Sequence, residues 1–168
     1  MRLAADLPYR PCVGVMLINR QGYVFVGKRA DVPFAPEGTG HWWQMPQGGL
    51  GEGEDPEAAV RRELEEETGV TSASILGRTR QWYNYDLPAG LVGTAWHGRY
   101  RGQTQLWFAA RFEGEDREID LEPEPGHERE FDSWRWVPHR ALPDLVVPFK
   151  RQVYEGVIRE FEPFVLAV

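Results

Sequence analysis

The chain has 168 residues, 42% of them hydrophobic, and 26 Asp and Glu against 19 Lys and Arg give it a formal net charge of −7. That length and apolar content predict a single domain over residues 1–168 around one sizeable core, and the acidic balance repels polyanions at long range, which disfavours duplex-type nucleic-acid binding. Cys12 is the sole cysteine, so an internal disulfide and a clustered-thiol metal site are excluded as well.

The first ten residues, MRLAADLPYR, lack the apolar core of a secretory signal, and no run approaches the roughly 18–20 apolar residues that span a bilayer. A soluble, cytoplasmic protein with no membrane contact and no obligate protein partner is expected. Cys12–Ile18 is apolar and partly β-branched, Asn19 to Gly22 offers turn chemistry, and Tyr23–Val26 resumes the apolar pattern, which predicts a hairpin. Asp31 to Gly40, rich in Pro and Gly, reads as a surface loop, Trp42–Met45 as a short strand, and Pro46–Gly53 as a turn. Asp55 then supplies an oxygen-bearing N-cap, with Pro56 at the first helical position, where its missing N–H costs nothing. Good helix formers run through Glu67, and Gly69 supplies a left-handed stop. Further strands are predicted over Ser74–Leu87, Thr104–Phe112 and Phe131–Val137, the last with Trp134 and Trp136 on one side. Phe149, Val153, Val157 and Phe161 recur every four residues and mark a closing amphipathic helix. Strands mixed with two helices predict an α/β sandwich around a mixed sheet.

Eight of the 16 residues from Glu52 to Glu67 are acidic. Glu63, Glu66 and Glu67 stand at i, i+3 and i+4, so a helix projects them from one face toward a common point. They also occupy the last turns, where the helix dipole disfavours each carboxylate by roughly 0.3–1 kcal/mol. Such a cluster is costly unless a cation lies among the side chains, and Mg²⁺ or Mn²⁺ suits oxygen ligands. An ion there would bridge phosphate oxygens and acidify a bound water. Arg62 is placed to hold Glu66 through an i,i+4 contact. The bland alternative is a solvated, charge-rich helix face.

The flanking residues decide between the two. Gly48–Val70, GGLGEGEDPEAAVRRELEEETGV, matches the Nudix box G-x5-E-x7-R-E-U-x-E-E-x-G-U at Gly48, Glu54, Arg62, Glu63, Leu64, Glu66, Glu67, Gly69 and Val70. The chain thus resembles the Nudix hydrolases. That resemblance implies an α/β/α sandwich with a mixed sheet and a loop-helix-loop that binds a divalent cation. It implies Glu63, Glu66 and Glu67 as metal ligands, the Gly48 carbonyl as a further one, and Glu54 and Arg62 as residues that orient them.

YRPCVGVMLINRQG, WWQMPQGG, GQTQLWF, EFDSWRWV and VPFKRQVY extend the similarity over about residues 8–162 to the branch of the family that holds RNA pyrophosphohydrolases and dinucleoside polyphosphate hydrolases. That branch implies a role for Glu130 in binding metal or activating water. Arg10, Arg29 and Lys150 are candidate phosphate contacts. Tyr83, Tyr85, Trp82 and Trp107 offer stacking faces for a base, and Gln103 and Gln105 offer hydrogen bonds to its edge or to phosphate. The expected reaction is hydrolysis of a nucleotide-capped polyphosphate, either diadenosine tetraphosphate or the 5′-triphosphate end of RNA. A lean toward the dinucleotide rests on the tract WHGRYRGQTQLWF and on the long Asp31–Gly40 loop. Glu67, Glu63 and Glu130 all stand as general-base candidates. ADP-ribose or a nucleoside triphosphate is the alternative substrate class, and a silent nucleotide-sensing module the alternative outside catalysis.

Overall fold

The computed structural model describes residues 3–30 and 42–167; the predicted loop at Asp31–Gly40 lies outside them. Eight strands form one mixed sheet among the described residues: β1 (Tyr9–Ile18), β2 (Val24–Arg29), β3 (Trp43–Gln44), β4 (Gln47–Gly49), β5 (Ala73–Arg78), β6 (Tyr83–Asp86), β7 (Gly102–Phe112) and β8 (Phe131–Val137). The helices are α1 (Pro56–Thr68), a single-turn α2 (Leu142–Leu145) and α3 (Arg151–Leu166).

β1 runs parallel to β7 along its whole length, and every other pairing is antiparallel. Both faces of this central pair are covered, which is why β1 reads as an unbroken apolar run rather than an alternating one. Val13, Val15 and Leu17 pack with Leu106, Phe108 and Ala110 against Ala59, Val60 and Leu64 of α1. On the other face Met16 and Ile18 pack with Trp107 and Ala109 against Tyr154, Val157 and Phe161 of α3. The predicted α/β sandwich is therefore the observed fold.

Local chemistry sets the ends of α1 as expected: the Asp55 carboxylate accepts from the Ala58 N–H at 3.0 Å, and Gly69 at φ 74° donates its N–H to the Glu65 carbonyl. Three expectations need correction. Ser74–Leu87 is two strands, because at Thr79 the chain turns its N–H onto the Trp107 carbonyl and leaves β7 before rejoining it at Tyr83. The Pro46–Gly53 turn contains β4, whose glycines can lie flat against β1. Phe149 precedes the closing helix, in the short 3-10 turn Pro148–Lys150. Trp134 and Trp136 do share a face, stacked around Phe25, and a β-bulge opposite Lys28 and Arg29 brings Phe131 onto it too. None of the described helices is long and apolar enough to cross a membrane.

Candidate active site

The register of the sheet lines up a row of polar side chains at one end of its α3 face. Arg10 of β1 is opposite Gln103 of β7, and Gln103 is opposite Tyr85 of β6. A cleft of about 530 Å³ opens over this row. β4 and α1 supply Gly48, Gly49, Glu63 and Glu67, β2 supplies Arg29, the residue before β8 supplies Glu130, and the turn before α3 supplies Phe149 and Lys150.

β4 is built from glycine where these parts meet. A Cβ on Gly48 would stand 2.0 Å from the Glu63 carboxyl carbon, and one on Gly49 would stand 2.5 Å from an Arg10 guanidinium nitrogen. Successive strand residues face opposite ways. A carboxylate from the α1 side and a cation from the α3 side therefore both lie flush against this edge with no side chain between them.

Arg62 organises the base of the site. Its Nε and Nη2 form a fork on the two Glu54 oxygens at 3.0 Å each, Nη1 reaches Glu63 at 2.8 Å and Glu66 at 3.3 Å, and Nη2 also donates to the Gly49 carbonyl at 3.1 Å. Glu54 accepts in addition from the Gly51 N–H at 2.9 Å. These charge-assisted bonds to Arg62 and Gly51 hold the Glu54 carboxyl down to about 2. The expected Arg62–Glu66 contact is thus present but is one of four attachments.

Glu67 is 8% exposed and accepts from the Gln47 N–H at 3.3 Å. Burial, then the charges of Glu130 and Glu63, raise its pKa well above the ordinary carboxylate value. Burial likewise raises that of Glu63, against the pull of Arg62. A buried carboxylate, Glu67, and a half-buried one, Glu63, that repel each other and Glu130 are the donor set that a hard dication relieves. Glu66 is different: it is exposed, turned to Arg62, and outside the cleft lining. Among the described residues no three such groups converge as a ready-made cage, so the common point expected for Glu63, Glu66 and Glu67 is not pre-formed.

Of the expected substrate contacts, Arg10, Arg29, Lys150, Tyr85 and Gln103 line the cleft. Gln105 sits behind it, 1% exposed, bonded to Gln47 and Gln103. The stacking faces need correction. Trp107 is wholly buried beneath the sheet's α3 face, packed edge-on to Tyr154, and presents no face to a base. The Tyr83 hydroxyl donates to Glu160 of α3, and Trp82 is exposed outside the cleft. Sequence reasoning missed Gln44, Gln47, Trp96 and Phe149, all in the lining. Gln44 and Gln47 lie within the WWQMPQGG segment, where no spacing singles them out, and the four-residue spacing assigns Phe149 to the closing helix rather than to the cleft. Gln44 joins two of the charges, since it accepts from Lys150 Nζ at 3.4 Å and donates to Glu130 at 3.5 Å.

Residues 8–157 match the family model described as the NUDIX domain. The chain belongs to the Nudix family. Among Nudix relatives, an RNA pyrophosphohydrolase of Rhodopseudomonas palustris is 56% identical over 163 residues, 97% of each chain. Another from Brucella ovis is 56% identical over 158 residues, 93% of this chain and 89% of that one. The E. coli dihydroneopterin triphosphate pyrophosphohydrolase shares the Nudix fold with a TM-score of 0.65 at 20% identity, covering 91% of this chain and 99% of its own. A C. elegans Ap4A hydrolase does so with 0.59 at 16% identity, covering 94% and 99%. As a Nudix enzyme the chain is a hydrolase of phosphoanhydride bonds.

Proposed function

We propose that this enzyme removes pyrophosphate from the 5′-triphosphate end of RNA, with Mg²⁺ held by Glu63, Glu67 and Glu130 together with the Gly48 carbonyl, and with Glu66 drawn in as a further ligand. The observation that carries the reading is the charge pattern of one cleft. In a chain of net charge −7, Arg10, Arg29 and Lys150 are gathered beside the buried Glu67 and the half-buried Glu63. Cations so placed bind and orient a polyphosphate that carboxylates alone would repel. The relatives at 56% identity named RNA pyrophosphohydrolase support RNA over the dinucleotide that the tract WHGRYRGQTQLWF favoured.

Bound by these residues, a divalent cation would neutralise phosphate charge and acidify the attacking water. Arg10, Arg29, Lys150 and Gln103 hold the phosphate chain in line. Water adds across the anhydride between the first and second phosphates, and the products are RNA with a 5′-monophosphate and free pyrophosphate. Glu67, Glu63 or Glu130 takes the water's proton, and the raised pKa values of Glu67 and Glu63 suit a base better than an ordinary carboxylate's does. Arg62 acts on the ligands it touches, fixing Glu63 between Glu54 and Gly48.

The test is product analysis with Mg²⁺ on 5′-triphosphate RNA, diadenosine tetraphosphate, ADP-ribose and a nucleoside triphosphate side by side. The highest kcat/KM is expected on RNA, with pyrophosphate released. Faster cleavage of any other member of the panel overturns the assignment.

A further inference from the structure

An indole carries one polar hydrogen and no acceptor, whereas a primary amide carries both, so an indole facing an amide dictates which end of it turns inward. Trp107 Nε1 donates to Gln105 Oε1 at 3.0 Å. The Gln105 amino group must then serve the other side, and it donates to Gln103 Oε1 at 2.7 Å and to Gln47 Oε1 at 2.9 Å. Reversing Gln47 or Gln103 would set amino group against amino group. Trp107, Gln105 and Gln103 are 0%, 1% and 4% exposed, so bulk water is not at hand to absorb such a conflict. With their oxygens claimed, Gln47 and Gln103 are left with their amino groups for the cleft that both line.

We propose that Trp107 is a positioning residue: through Gln105, its buried N–H locks the amides of Gln47 and Gln103 so that the cleft wall between Arg10 and Glu67 presents only N–H donors. Phosphate oxygens only accept hydrogen bonds, so this wall favours a polyphosphate, and a reversed amide would set a carbonyl oxygen against it. The inference rests on the polyphosphate reading of the cleft. It also explains why a tryptophan with no exposed face stands two residues beyond a pair of alternating glutamines on one strand. The same linkage reaches the carboxylates, because the backbone N–H of Gln47 is the donor to Glu67.

The test compares the full-length wild type with Trp107→Phe, Gln105→Met and the double variant, all uncharged changes, with thermal melts to establish that each is folded. Steady-state kinetics on 5′-triphosphate RNA should show KM raised about fivefold or more in each single variant, the ratio that accompanies loss of one net hydrogen bond, with kcat within about twofold. The double variant should be no worse than Gln105→Met alone, because a relay already cut cannot be cut again. A packing defect would instead add in the double variant. Side-chain amide ¹H–¹⁵N spectra supply a readout independent of substrate: the Gln47 and Gln103 NH₂ signals should shift or broaden in Trp107→Phe. Unmoved signals, or additive effects on KM in folded variants, overturn the relay. Failure of the wild type to cleave triphosphate RNA, with the amide signals responding as expected, would instead tell against the assigned substrate and leave the relay standing.

Discussion

Replacing Gly48 with alanine separates catalysis from stability. The new Cβ would lie 2.0 Å from the Glu63 carboxyl carbon and 2.1 Å from Oε2. Carbon contacts settle at about 3.5 Å or more, so the carboxylate must retreat by roughly 1.5 Å. Gly48 does not use positive φ, and its pairing with Val13 is ordinary antiparallel strand. Alanine is therefore compatible with the backbone, and its reduced freedom in the unfolded chain contributes about 0.4–1 kcal/mol toward stability. That offsets part of the cost of displacing a half-buried side chain whose far end can swing. Displacement of a reacting group by about 1 Å costs on the order of 100-fold in rate, equivalent to about 2.7 kcal/mol of transition-state stabilisation. Turnover of 5′-triphosphate RNA by Gly48→Ala should therefore fall at least about 100-fold while its melting temperature stays within a few degrees of wild type. Near-wild-type kcat in a folded Gly48→Ala would refute the role given to Glu63.

Gly14→Ala should behave in the opposite way. Its Cβ meets the buried Trp107 ring at 2.6 Å, where nothing can swing aside, so a loss of about 1–3 kcal/mol is expected, read as a lower melting temperature; an unchanged melt would show that the ring can move. Adding Mg²⁺ or Mn²⁺ should raise the melting temperature of the wild type, with a smaller rise in Glu67→Gln, and equal shifts would remove Glu67 from the ligand set. Glu67→Gln should also melt higher than wild type in EDTA, since it relieves a buried charge. The Glu54 carboxyl is depressed from 4.5 to about 2 in the folded protein, so the stability it contributes is full above the ordinary value and is lost as pH falls through that interval. The gap in melting temperature between wild type and Glu54→Gln should therefore close between about pH 4.5 and pH 2, and a constant gap would mean that the Arg62 fork adds no stability.

The helix that carries the carboxylates was legible because its signals are local: a cap, a proline, a 3-4 spacing and a stop glycine lie within one stretch of chain. The family was legible for the same reason, since Gly48 to Val70 is contiguous. What escaped is set by pairing at long range. Period-2 alternation in GQTQLWF tells that Gln103, Gln105 and Trp107 share a face, but not that α3 covers that face at Trp107 and leaves it open at Gln103. An aromatic in the interior and one in a cleft therefore read alike. Pro46–Gly53 looked like a turn because glycine weakens strands in general, whereas here it is what allows Glu63 and Arg10 to approach β4. Glu66 could be placed on the helix, but the greater hold of Arg62 on Glu54 and Glu63 could not be read from an i,i+4 spacing.

The cleft draws on residues 10, 29, 48, 67, 103, 130 and 150, strung along nearly the whole chain. No fragment holds more than part of it, because Arg10 meets its neighbour Gln103 only when β7 has docked on β1, and Lys150 arrives later still. During synthesis the acidic segment of α1 emerges after Arg10 and Arg29 but well before Gln103, Glu130 and Lys150. The cleft is thus assembled by the pairing of β1 with β7 rather than by any one stretch of chain.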